Sequence, residues 1–198
     1  MIRLSTARKS IAYYLTQPVV LLLAKTNLAP DVITWFGFLI SVGAAVLIVK
    51  EQLFAAGFVV LIAGFFDMLD GALARSTNRT TRFGAILDST LDRLADAAPL
   101  LGILILYNRE QSATGIIIVG LALLGSLLVS YIRARAEAAG LDCQVGLFTR
   151  AERVVVLALG LLLSQIDYAL IIALAIIVVF SFITVSQRLL YAWLQTKN

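Results

Sequence analysis

The sequence predicts an all-α integral membrane protein: six transmembrane helices preceded by an N-terminal amphipathic helix lying in the membrane interface. Three observations carry this. Of 198 residues, 61% are hydrophobic and 14% are charged, with a mean hydropathy of +0.96. That composition excludes a water-soluble globular domain and a disordered chain. The apolar residues fall into six stretches separated by short polar breaks, and a spanning helix needs ~20 mostly apolar residues. With alternating sides, Lys50 and Arg109 fall in one set of loops, whereas the other fourteen of the sixteen Lys and Arg lie at the opposite side or in turns leading to it. The positive-inside rule then places both termini in the cytoplasm, as an even number of spans requires. The net charge of +4 reads as attraction to anionic headgroups and substrates, with no nucleic-acid footprint.

Residues 1–25 carry Arg3, Arg8 and Lys9 among Ile2, Leu4, Ile11, Tyr13, Tyr14 and Leu15. The apolar run from Pro18 to Ala24 is too short to span, so the segment reads as an interfacial amphipathic helix bent near Pro18, not as a signal peptide. The spans follow at Val32–Val49, Leu53–Ala74, Phe83–Tyr107, Thr114–Ala136, Ala151–Gln165 and Tyr168–Tyr191. The fifth is short and its start extends toward Val145. The breaks are Lys50 to Gln52, Ser76 to Arg82, Asn108 to Gln111, Ala138 to Thr149, and Ile166-Asp167. Short breaks favour antiparallel neighbours. Residues 1–198 form one domain with a transmembrane core over 32–191; no repeat or low-complexity tract is visible.

The chain has no histidine and one cysteine, Cys143. Histidine bases, histidine metal ligands and intrachain disulfides are therefore excluded, and acid–base or metal chemistry must run on carboxylates. Asp67 and Asp70 lie near the end of the second span, and Asp88 and Asp92 near the start of the third, with Asp96 one turn later. Each aspartate at a helix centre costs ~2.5–3.5 kcal/mol on an insertion scale. Arg75 and Arg93 are too few to neutralise them all, so a further positive group is expected. At about 100° per residue, Asp67, Asp70, Gly71 and Ala74 share one face, as do Asp88 and Asp92. The short loop between the spans makes them antiparallel neighbours whose acidic faces meet near the cytoplasmic side. Oxygen-only ligands suit Mg²⁺, Mn²⁺ or Ca²⁺. Four carboxylates balance two divalent ions, which at a separation of ~4 Å clamp a displacement at phosphorus.

Asp67, Asp70, Gly71, Ala74, Arg75, Gly84, Asp88 and Asp92 are eight residues fixed over 26 positions. In identity and spacing they resemble the signature of the CDP-alcohol phosphatidyltransferase family, and the six-span plan with its amphipathic N-terminus is similar too. The resemblance implies a Mg²⁺- or Mn²⁺-dependent transfer with two ions, in which a hydroxyl attacks the β-phosphorus of a CDP-linked lipid and CMP leaves. It implies Asp67, Asp70, Asp88 and Asp92 as metal ligands, with Asp92 also the general base. It implies Gly71, Arg75 and Thr81 as contacts to the CDP part, and Asp31, Val32, Ile33 and Thr34 as contributors to the cytidine pocket. A homodimer in the cell membrane, with a cytoplasmic active site, is implied as well.

For the acceptor, Arg133 and Arg135 end the fourth span, Arg153 opens the fifth, and Arg188 lies in the last turns of the sixth. Arginines from three helices at one face suit an acceptor phosphate. Arg150 is read instead as positive-inside topology and headgroup anchoring. The pattern resembles the phosphatidylinositol phosphate synthase branch, including its archaeal ether-lipid counterparts, and so implies inositol 1-phosphate as acceptor and CDP-diacylglycerol or an ether analogue as donor. Phosphatidylglycerophosphate synthase, with glycerol 3-phosphate, is the alternative within the family. A cation transporter or channel is the alternative from another class. Aspartates crowded at one membrane side, with no acidic relay to the other, count against it.

Overall fold

The computed structural model describes residue 17 and residues 30–77, 81–143 and 145–197, leaving the side chains of residues 30, 70, 71 and 74–77 undescribed. The expected interfacial helix over residues 1–25 lies outside the described residues apart from Gln17. Among the described residues there are six helices: α1 Pro30–Val49, α2 Leu53–Thr77, α3 Arg82–Arg109, α4 Ala113–Ala138, α5 Arg150–Leu162 and α6 Ala169–Thr196.

The polar breaks end these helices by one recurring device. After α1, Gln52 N–H donates to Leu47 O and Glu51 N–H to Ile48 O, with Glu51 at φ 63°. The same paired bonds close α3 around Gln111 (φ 53°) and α4 around Gly140 (φ 77°). This is the Schellman arrangement, which satisfies carbonyls left over at a helix end. Pro30 stands at the first helical position, where its missing N–H costs nothing.

The helices pack in a closed order, α1–α2–α5–α6–α4–α3 and back to α1. The expectation that α2 and α3 are direct packing neighbours is therefore corrected: they barely touch, because α1 lies against both. Local chemistry explains the preference of α3 for α1. Pro99 inside α3 donates no N–H to Ala95 O. The buried Ser41 hydroxyl on α1 donates to that carbonyl instead, at 2.5 Å. Two turns on, a Cβ on Gly102 would lie 2.9 Å from Ala45 O, so only a glycine admits this approach. At the far end Arg109 Nη1 donates to Val49 O at 2.8 Å. The pairs 41–95, 45–102 and 49–109 run in the same sense, so α1 and α3 are parallel.

Ala44, Ile48, Val60, Leu100, Ile103, Val119, Leu161, Leu174 and Ile177 fill the core. Outward faces carry Trp35, Phe36, Leu39, Phe58, Ile117 and Ile172, all exposed. Apolar residues inside and outside together mark a bundle solvated by lipid. By length and composition, Asp31–Val49, Ala113–Ala138 and Ala169–Thr196 are candidate spans, and Leu53–Leu69 is a shorter apolar helix. The α5 helix has 13 residues, about 20 Å at 1.5 Å per residue, short of the ~30 Å hydrocarbon core. Its expected extension toward Val145 does not occur. Glu152 accepts from Thr149 N–H at 2.7 Å and from the Thr149 hydroxyl at 2.5 Å, and this capping box starts the helix at Arg150.

Candidate active site

The site begins with two glycines on α2. A Cβ on Gly57 would lie 2.8 Å from Leu162 Cγ and 3.1 Å from Ala158 O, and one on Gly64 would lie 2.9 Å from Val154 Cγ1. Seven residues are about two turns, so both glycines face α5 and let it approach closely. The contacts run in opposite senses along the two helices. One turn beyond Gly64 stands Asp67, and one turn before Val154 stands Arg150. The Arg150 guanidinium consequently meets the Asp67 carboxylate through Nη1.

Asp92 and Asp96, one turn apart on α3, reach the same group. Arg150 Nη1 lies 2.7 Å from Asp92 Oδ1, and Arg150 Nε donates to Asp96 Oδ1 at 2.7 Å. Asp96 accepts a second arginine through its other oxygen, from Arg153 Nη2 at 2.8 Å. Carboxylates from α2 and α3 thus come together at Arg150 of α5, with Arg153 as a second partner of Asp96, and not by direct helix packing. Asp88 is half-buried and interacts electrostatically with Asp67, Arg150, Asp31 and Arg93. Asp70 belongs to α2, but its side chain lies outside the described residues.

Beside this cluster opens a cavity of about 350 Å³ whose wall includes Asp92, Arg93, Arg133, Arg150, Arg153 and Arg188. Arg153 is 4% exposed, and its Nε and Nη1 have no hydrogen-bond partner among the described residues. Arg188, equally buried, donates from Nε to Val145 O at 2.9 Å and from Nη1 to Val129 O. Gly146, at φ +140°, passes over it: a Cβ there would lie 3.3 Å from Arg188 Nε and 2.8 Å from Thr184 Cγ2. The α4–α5 loop is pinned to α6 by these contacts and by Phe148 N–H donating to the Thr184 hydroxyl at 3.1 Å. Arg133 is exposed and pairs with Glu137 at 2.8 Å. Arg135 is not brought into the group. Two residues beyond Arg133, it is turned by about 200° on α4, is exposed and does not line the cavity.

The residues expected at the nucleotide end also assemble in part. Thr81 caps α3 by accepting from Gly84 N–H at 2.9 Å. A Cβ on Gly84 would lie 2.8 Å from Thr81 Oγ1 and 3.2 Å from Asp31 Oδ1, so a carboxylate and a hydroxyl close over bare backbone. Thr34 lines a small cavity of about 10 Å³ together with Asp67, Asp92 and Arg150. Ile33 is taken up in packing against Leu69 and Leu73, whereas Val32 faces outward. Gly71 and the side chain of Arg75 are undescribed beyond their place in α2.

Residues 27–187 match the model of the CDP-alcohol phosphatidyltransferase family. The chain belongs to that family. It is 40% identical over 172 residues to the archaetidylinositol phosphate synthase of Methanothermobacter thermautotrophicus, covering 86% of each chain. It is similar to the crystal structure of Mycobacterium tuberculosis phosphatidylinositol phosphate synthase with CDP-DAG bound, with a TM-score of 0.81 and 38% identity over 90% of this chain and 93% of that one. The same mycobacterial enzyme in complex with manganese and citrate matches with a TM-score of 0.78, at 38% identity over 90% of this chain and 88% of that one. This CDP-alcohol phosphatidyltransferase is thus a phospholipid-biosynthetic transferase, and the transporter and channel reading is set aside.

The donor set fits a hard divalent ion. It is oxygen only, and a cationic group, the Arg150 guanidinium, already bridges Asp67 and Asp92. Among the described residues no three carboxylates converge closely enough to hold an ion unaided. Two site residues were not assigned roles from sequence. Asp96, one turn beyond Asp92, carries no role on sequence grounds, and the position of Arg150 in sequence points to topology alone. The Gly57 and Gly64 spacing on α2 is the signal that α5 closes over Asp67.

Proposed function

We propose that this chain transfers a phosphatidyl-type lipid phosphate from a CDP-lipid, CDP-diacylglycerol or an ether analogue, to inositol 1-phosphate, giving a lipid-linked inositol phosphate and CMP. The observation that carries the reading is the position of Asp92. It lines both the small cavity with Asp67 and Thr34 and the arginine-lined cavity of about 350 Å³. A base for an acceptor hydroxyl must stand at such a boundary, within ~3 Å of the proton it removes.

Asp92 accepts the acceptor hydroxyl proton as that oxygen bonds to the β-phosphorus and the bond to the CMP oxygen breaks. Asp67, Asp70, Asp88 and Asp92 would hold the divalent ions, Mg²⁺ or Mn²⁺ and two in number. When bound, these supply Lewis-acid stabilisation of the diphosphate charge. Gly71, Arg75 and Thr81 hold the CDP part, and Asp31, Val32, Ile33 and Thr34 contribute to the cytidine pocket. Arg153, Arg188 and Arg133 bind the acceptor phosphate. The two buried donors of Arg153 that have no partner among the described residues support this, because such groups are costly unless a ligand satisfies them. Arg135 is left out on geometric grounds. The six helices sit in the cell membrane as one bundle, with both termini and the site cytoplasmic, and the enzyme works as a homodimer. No nucleic-acid partner is proposed.

The test is CMP release by the purified full-length protein with CDP-diacylglycerol or its ether analogue and Mg²⁺ or Mn²⁺. Inositol 1-phosphate, glycerol 3-phosphate, serine and free inositol are compared side by side. Turnover is expected with inositol 1-phosphate; turnover only with glycerol 3-phosphate overturns the acceptor assignment.

A further inference from the structure

Arg150 is, with Asp96, a site residue that the proposed reaction leaves unused. Its guanidinium sits between the carboxylates of Asp67 and Asp92, both reached by Nη1. With it in place, the cavity beside Thr34, Asp67 and Asp92 holds about 10 Å³. A single water needs ~10–15 Å³ on the same kind of measure, so no hydrated ion enters beside it. A divalent ion and a guanidinium held by the same two carboxylates would also repel each other.

Arg150 has somewhere to go. Its Nε is held separately by Asp96 at 2.7 Å, and Asp96 is fixed from the other side by Arg153. Rotation of the guanidinium end about that anchor leads into the cavity of about 350 Å³ that Arg150 already lines with Arg153 and Arg188. There the freed donors would join those of Arg153 on an anion.

We infer that the Arg150 guanidinium is the internal occupant of the cation position between Asp67 and Asp92, and that a divalent ion binds there in exchange for it. Asp96 retains the displaced side chain beside the arginine cavity. Arg150 is on this account a positioning residue that links ion loading to anion binding. The inference rests on the proposed reading that Asp67 and Asp92 hold divalent ions. It differs from a fixed structural ion pair in one respect: the guanidinium leaves the two carboxylates when the ion loads, so its own accessibility changes with ion binding.

The experiment is titration of the full-length protein in nanodiscs with Mn²⁺ alone, without nucleotide, comparing wild type, Arg150→Met and Arg150→Lys. If the guanidinium holds the position nine-tenths of the time, the apparent Kd of the wild type is raised ~tenfold. Arg150→Met is therefore expected to bind Mn²⁺ ~tenfold more tightly, with Arg150→Lys between it and wild type. A second measurement needs no variant. Phenylglyoxal modification of Arg150 in the wild type, followed by peptide mass spectrometry, is expected to accelerate when Mn²⁺ saturates. Equal or weaker Mn²⁺ binding by Arg150→Met overturns the exchange, as does an unchanged modification rate. If Arg150→Met does not fold, the modification rate decides alone. Binding of Mn²⁺ by no form removes the underlying cation site too; equal binding by all forms removes the exchange only.

Discussion

Replacing Arg153 by Gln is the sharpest perturbation of the acceptor side. The side chain is 4% exposed and, among the described residues, bonds only through Nη2, to Asp96 at 2.8 Å, leaving Nε and Nη1 for a ligand. A hydrogen bond to a charged group contributes ~1.5–3 kcal/mol, so two to a phosphate give ~3–6 kcal/mol in the limit of no compensation. Arg188 and Arg133 share the cavity and offset part of the loss, which favours the lower half of that range. At 1.4 kcal/mol per tenfold, the acceptor KM should rise by about two orders of magnitude, with the donor KM within about threefold of wild type. Breaking a buried ion pair costs ~3–5 kcal/mol when a charge is left uncompensated. Asp96 keeps Arg150 Nε at 2.7 Å, however, so the variant should still fold. Arg153→Lys, which retains the charge but not the planar fork, should recover only part of the affinity. Arg135→Ala, outside the cavity, should change neither KM. The assay is initial-rate CMP release with each substrate varied in turn. An acceptor KM unchanged in Arg153→Gln, or a rise shared equally by donor and acceptor, would refute the assignment.

Asp92→Asn should retain fold and Mn²⁺ affinity better than Asp67→Asn yet abolish transfer, checked by metal titration beside single-turnover CMP release; equal losses of metal affinity would remove the separate role of the base. Ser41→Ala should lower stability by about 1 kcal/mol, since it leaves the Ala95 carbonyl unpaired. In a Pro99→Ala background the restored N–H takes that carbonyl and the cost should nearly vanish; the same cost in both backgrounds, measured by denaturation in mixed micelles, would show that the bond is not what matters.

The helices were legible because each break carries polar residues able to close a helix, and the Glu51, Gln111 and Gly140 turns do so by the same bonds. The helix neighbours were not. A short α2–α3 loop argues for adjacency, but that rule is blind to the carbonyl freed by Pro99 and to the hydroxyl of Ser41 that takes it. In the site, the aspartate spacing was enough to group Asp67 with Asp92. It was not enough to name their partner. Arg150 stands at the first turn of a short helix, where a basic residue suits cytoplasmic topology, and only the approach permitted by Gly57 and Gly64 aims it at Asp67. The separation of Arg133 from Arg135, by contrast, was available from helical periodicity alone.

The indirect meeting of α2 and α3 has a chemical consequence. Had the two acidic helices packed directly along their length, the carboxylates of Asp67 and Asp92, which already meet, would have been shut in a closed interface with no entry for a ligand. Because α1 holds them apart and α5 closes the ring, the space between Asp67 and Asp92 is bounded by side chains that can move, not by backbone. Asp96 divides that space. One of its oxygens takes Arg150, which belongs to the acidic cluster, and the other takes Arg153, which belongs to the arginine cavity. On the proposed reading, the cation side and the acceptor side are thereby joined through a single carboxylate. A change of charge in either half must be felt in the other, because neither arginine can leave Asp96 without exposing it to the remaining negative charge of Asp92 one turn away.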